Sequence, residues 1–147
     1  MPASTAQFSE YKKVDVQTAS QGKLIVMLFN GAIQRAEEAK RQLEKGRYEG
    51  VHNNLIRAQD IIGELRNALD MKAGEVAGNL DRLYEYFQHL LIKANIRKEP
   101  GPAEEAVALM TELRDTWKEL FQKLDAEGEF HPPQVNQHGA AVMNIEG

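Results

Sequence analysis

The chain has 147 residues, 42% of them hydrophobic and 27% charged, a length and balance that favour one soluble domain with a core of its own. Its 18 Lys and Arg against 22 Asp and Glu leave a net charge of −4, the wrong sign for a protein whose affinity rests on nucleic-acid phosphates. Cysteine is absent, which excludes disulfide frameworks, thiolate zinc sites and cysteine nucleophiles, and fits a reducing cytoplasm.

Residues 1–19 read as a short N-terminal arm or helix. The opening stretch MPASTAQFSEYKK has no apolar signal core, although the arm carries Phe8, Tyr11, Val14 and Val16. The longest unbroken apolar run, LIVMLF at 24–29, is far short of the roughly 20 residues that span a bilayer, so no membrane insertion is expected.

From Ser20 to Lys98 there is no proline, and apolar residues recur every three or four positions, the helical period. Ser20 is placed to cap a first helix. Its face Ile25, Leu28, Phe29, Ala32, Ala36, Ala39 and Leu43 continues until Gly46 supplies a stop. A second helix, about 48–70, carries Val51, Leu55, Ala58, Ile62, Leu65 and Leu69, and ends at MKAG. The third, about 75–97, carries Val76, Leu80, Leu83, Tyr84, Phe87, Leu90, Leu91 and Ala94, and Pro100-Gly101-Pro102 follows as its stop. The fourth, from about Ala103 to Asp125, opens with Glu104 and Glu105 against the helix dipole and carries Ala106, Leu109, Met110, Leu113, Trp117, Leu120 and Leu124. Residues 126–147 mix glycine, Pro132-Pro133 and polar side chains without a period, and read as a flexible tail.

Short links between long helices make neighbours antiparallel. The expected fold is therefore all-α: an antiparallel up-down four-helix bundle over 20–125, with no competing strand pattern.

A helical wheel leaves a surplus. Leu24, Val26 and Met27 fall off the first helix's core stripe, and Ile56 lies opposite the second helix's core beside Asn53, Gly63 and Asn67. Apolar side chains on two outer faces suit a partner surface, and the arm has enough apolar residues to cover one of them.

Catalytic and metal signatures are weak. A di-iron bundle needs a Glu-x-x-His pair on each of two helices, whereas only Glu49 and His52 make one; Glu85 and His89 are four apart. No phosphate-binding loop, dinucleotide fingerprint or nucleophile elbow is present, so neither an enzyme nor a cofactor is expected. Arg35, Lys40, Arg41, Lys45 and Arg47 are interleaved with Glu37, Glu38, Glu44 and Glu49, which reads as a solvated helix face. Trp117 and Phe121 read as core and core edge.

Several strings, in order, resemble the flagellar secretion chaperone family FliS. They begin at Tyr11 and continue through TASQGKLIVMLFNGAIQRAEEA (18–39), RAQDIIGELRNALD (57–70) and NLDRLYEYFQHLLIKAN (79–95) to LRDTWKEL (113–120). The family commonly has Pro where Gln21 stands and Tyr-Asp where Phe29-Asn30 stand. The resemblance implies a cytoplasmic, ATP-independent chaperone that binds the C-terminal segment of newly made flagellin, blocks premature filament polymerisation and helps present it to a component of the flagellar type III export gate. It implies partner contacts on the matching helices, at Ile62, Leu65, Leu83, Tyr84, Phe87 and Leu91, which join Leu24, Met27 and Ile56 from the surplus. It also makes Phe8, Tyr11 and Val14 the candidates for an arm folded over the groove, and a homodimer of the free chain is compatible with the same apolar excess. The competing readings are a helical adaptor or oligomerisation module without a flagellin client and, from the enzyme class, a ferritin-like metal oxidase.

Overall fold

A computed structural model describes the backbone of residues 13–126 and the side chains of 21–126 apart from positions 73 and 125. Four long helices account for nearly all of it: α1 (Lys13–Glu44), α2 (Tyr48–Asn67), α3 (Glu75–Arg97) and α4 (Pro100–Ala126), with a single 3-10 turn (Met71–Ala73) before α3. No strand occurs among the described residues. Phe8, Tyr11, His131, His138 and the rest of 1–12 and 127–147 lie outside them.

Cross-links along each seam fix the register. On the α1–α2 seam, a Cβ on Gly31 would sit 3.3 Å from Ile61 Cδ1, and Arg35 Nη1 donates to Asn54 Oδ1 at 3.3 Å. On the α2–α3 seam, Asn95 meets His52 at 2.9 Å, Gln88 Nε2 donates to the Gln59 carbonyl at 3.2 Å and Arg66 Nε donates to Asp81 Oδ1 at 2.7 Å. Tyr86 donates to Glu105 between α3 and α4. Phe121 lies under Gly22, Arg114 Nη1 donates to Asn30 Oδ1 at 2.9 Å, and Lys40 pairs with Glu104 at 3.6 Å between α1 and α4. On the three seams with more than one link, higher numbers on one helix meet lower numbers on the next, which makes α3 and α4 antiparallel as well, and α1 and α3 each pack against both α2 and α4.

The periodic stripes meet inside this square. Phe29, Ala32, Ala36, Val51, Leu55, Ala58, Ile62, Phe87, Leu91, Ala106 and Met110 are fully enclosed, and Phe29 meets Tyr84 edge to face with centroids 6.0 Å apart. Ile33, Ile61, Ala77 and Ala103 complete the core from positions the stripes above did not include. Small residues on α1 let its neighbours approach closely: a Cβ on Gly22 would lie 2.7 Å from the Phe121 ring.

Three boundaries differ from expectation. α1 runs unbroken from Lys13, so Ser20 is interior to the helix rather than at its N-cap position, and Val14 lies on the helix, the second of the two forms expected for that segment. The reason is at Gln21. A proline there would start a helix at its own position, whereas Gln21 supplies the backbone N–H that an uninterrupted helix requires. α2 stops at Asn67 rather than Asp70, and the Asp70 side chain instead accepts from the Lys72 backbone N–H at 2.9 Å to cap the 3-10 turn. Pro100-Gly101-Pro102 does not stop α3 but forms the first turn of α4, where a missing N–H is harmless. The stop is Lys98, in the left-handed conformation (φ 50°), whose ammonium donates back to the Asn95 carbonyl at 2.7 Å. Glu104 consequently sits beyond the first turn and pairs with Lys40 instead of the helix dipole.

The other two links depend on glycine. Gly46 (φ 70°) turns the chain between α1 and α2, and Gly74 (φ 97°, ψ −151°) lies in a region that essentially only glycine occupies.

Candidate functional site: two outward apolar surfaces

The residues singled out from the sequence separate into two sets. Leu24, Met27 and Ile56 project outward, 52%, 65% and 39% exposed. Ile62, Leu65, Tyr84, Phe87 and Leu91 point into the core, and Leu83 is half-buried against it. The division follows from the wheel. Ile62 and Leu65 continue the inward line of Val51, Leu55 and Ala58, whereas Ile56 lies between His52 and Gln59 on the side of α2 that turns toward α3. Those five side chains are buried in the bundle interior.

Tyr84 is the polar member of the buried set. Desolvation pushes its phenol well above the ordinary range, with the neighbouring Trp117 indole acting in the opposite direction, so it stays neutral and serves packing. Trp117 is buried and stacks on half-buried Phe121 with centroids 5.6 Å apart, as core and core edge.

The outward residues occupy two places. Leu24 lies seven positions, two turns, before Gly31, on the side of α1 that meets α2, and the register puts it opposite Ala68. Met27 is one turn further along and faces solvent, while Val26 and Leu28 are half-buried and Ile25 and Phe29 are core. This is the first surface.

The second surface is the α2–α3 groove. Gln88 and Asn95 of α3 both bond to α2, and Ile92 lies between them, so Ile56 and Ile92 border the same groove. Ile92 is 42% exposed and Ile96, one turn later, 77%. Neither was singled out above, although the wheel that exposes Met27 also puts Ile92 and Ile96 off the α3 stripe. Tyr48, Met71 and Tyr86 are further exposed large side chains. At the far end of the groove, Arg66 pairs with Asp81 at 2.7 Å and with Glu85 at 3.0 Å. The hydrogen bond from Arg66 holds the Asp81 carboxyl below its usual pKa, against a smaller opposing effect of burial.

The features weighed for metal binding and charge recognition disperse. Glu49 and His52 are both exposed, and the His52 ring is engaged by Asn95 across the α2–α3 groove. Glu85 is held by Arg66, and His89 stacks on Tyr86 with centroids 6.4 Å apart. Among the described residues no group of three or more His, Asp or Glu is placed to hold a metal ion. Arg41 bonds Glu38 at 2.8 Å along α1, as expected of a solvated helix face, whereas Lys40 pairs across the seam with Glu104 of α4. No described helix is long and apolar enough to cross a membrane.

Comparison with known proteins adds an independent line. The family described as Flagellar protein FliS matches residues 4–124. The chain is 33% identical over 115 residues to the flagellar secretion chaperone FliS of Bacillus subtilis, covering 78% of this chain and 86% of that protein. Its counterpart in Vibrio cholerae is 32% identical over 140 residues, covering 92% and 95%. The counterpart in Salmonella typhimurium is 36% identical over 110 residues, covering 74% and 82%.

Proposed function

This chain belongs to the FliS family of flagellar proteins, and from that premise we propose that it is a cytoplasmic export chaperone whose client is the C-terminal segment of flagellin. FliS is a family of chaperones, not of enzymes. On this reading the chain binds the client before export, blocks its polymerisation and helps deliver it to a component of the flagellar type III export gate.

The outward placement of Leu24, Met27 and Ile56 supports the reading most directly. A segment that becomes helical only on assembly presents apolar surface beforehand, and a bundle with apolar side chains to spare can shield it. The register puts Leu24 and Ile56 about 18 Å apart along the bundle, at 1.5 Å per residue, and on different sides of α2. A single segment touching both passes over α2, so the client is long and wraps rather than inserting one short helix. Ile92 and Ile96 extend its path along the α2–α3 groove. Coupled folding of this kind costs roughly 2 to 5 kcal/mol of ordering, which keeps a large contact area compatible with release.

Phe8 and Tyr11, which precede α1, are the proposed cover for part of this surface in the free chain, whereas Val14, on the same continuous helix as Leu24, is not; a homodimer of the free chain draws on the same surplus. The test is calorimetric titration of the full chain with a peptide from the C-terminal segment of a cognate flagellin. A one-to-one complex with a negative heat-capacity change is expected. No heat and no complex at peptide concentrations up to about 1 mM, the weak end of specific binding, would leave a helical adaptor without a flagellin client as the better reading.

A further inference from the structure

Methionine is the chain's only sulfur-bearing residue type, with five Met and no Cys. The described methionines differ sharply in access: Met110 is fully enclosed, whereas Met71 and Met27 are 56% and 65% exposed. Met27 stands one turn from Leu24, on the surface assigned above to the client.

We propose that Met27 is an oxidation site through which a peroxide weakens client binding, an inference that rests on the flagellin-binding reading. A lone pair of the thioether sulfur attacks one oxygen of hydrogen peroxide. The S–O bond forms as the O–O bond breaks, and proton transfer to the departing oxygen releases water. Sulfur gives up two electrons and the peroxide accepts them, so no further reactant is required.

The consequence differs between the free and bound chain. In the free chain the sulfoxide oxygen at Met27 faces water, and the bundle behind it, closed by Ile25 and Phe29, is untouched. In the complex the same oxygen is an acceptor pressed against apolar client side chains, and an unpartnered polar group buried in this way weakens binding about tenfold or more. Met110 is the internal control: its burial keeps it from peroxide, and its oxidation would break the core rather than the surface.

The experiment treats the full chain with limiting hydrogen peroxide, maps sulfoxides by peptide mass spectrometry, and titrates parent and treated protein with the flagellin C-terminal peptide. The expected result is sulfoxide at Met27 ahead of Met110, unchanged helicity and a Kd raised about tenfold, restored by methionine sulfoxide reductase. In Met27→Leu the ratio of treated to untreated Kd stays near one, whatever that variant's starting affinity. Met27 fully oxidised with unchanged Kd, or the same loss in Met27→Leu, overturns the inference while leaving flagellin binding standing. An untreated chain that does not bind the peptide refutes the client reading itself, and the switch falls with it.

Discussion

Gly22 and Gly78 are both helical glycines, and their surroundings assign them opposite roles. A methyl group at Gly22 would lie 2.7 and 2.8 Å from two ring carbons of Phe121, whereas one at Gly78 would meet only the Arg82 guanidinium at 3.9 Å. Replacing a mid-helix glycine by alanine gains about 1 kcal/mol of helix propensity, and overpacking costs about 1 to 3 kcal/mol. Gly78→Ala is therefore expected to raise stability by about 0.5 to 1 kcal/mol, and Gly22→Ala to lower it or at best break even. Urea denaturation of the two variants side by side checks this. Asp81 supplies a second residue-scale prediction. Its carboxyl pKa is held below the ordinary aspartate range in the folded state, first by the hydrogen bond from Arg66. The stabilisation is thus fully present above the unfolded carboxylate pKa and is lost as pH falls through the depressed folded value. Because both side chains are nearly a third exposed, solvent screening keeps it to about 1 kcal/mol. The stability gap between the parent and Asp81→Asn should be constant near neutrality and narrow as pH falls through the range below the ordinary carboxylate pKa, as followed by urea midpoints across the acid range. A gap that persists at the acid end would show that Asp81 acts by packing.

At the scale of a helix, adjacent residues have different duties. On α1, Phe29 is enclosed among all the core stripes, and Met27, two positions earlier, is mostly in solvent. Phe29→Ala should cost about 3 to 5 kcal/mol and lower the melting temperature accordingly. Met27→Asp should change stability by no more than about 0.5 kcal/mol, the usual range for surface substitutions. Thermal melts monitored by circular dichroism distinguish the two. The same contrast explains what the sequence disclosed. The number, order and type of the helices follow from apolar period and glycine placement, and α3 begins and ends where its pattern does. The α1 start and the α4 start were not legible from residue type alone. A serine can cap a helix or sit inside one, and a proline can end one helix or open the next, and the neighbouring backbone decides which. For the candidate site, wheel arithmetic found Leu24, Met27 and Ile56 as outward residues. Resemblance to matching family helices did not separate outward residues from core, because those helices carry both, and Ile62, Leu65, Tyr84, Phe87 and Leu91 lie on their buried faces.

For the molecule as a whole, the account joins a self-sufficient core to an exterior that folding does not consume. Folding closes the square of α1 to α4 around Phe29, Tyr84, Phe87 and Met110, and leaves Leu24, Met27, Ile56, Ile92 and Ile96 outside it. Exposed aliphatic residues are ordinary one at a time. Here they gather on two surfaces on either side of α2, in a family of export chaperones, which is why a wrapped client is the economical explanation. The central claim is that these outward side chains, and not the core stripes, bind flagellin. The most direct measurement is calorimetric titration of the double variant Met27→Asp/Ile56→Asp with the flagellin C-terminal peptide, alongside its circular dichroism spectrum. The account predicts full helicity with peptide affinity reduced at least about a hundredfold, a loss of about 2.8 kcal/mol. Full helicity with parental affinity would contradict it.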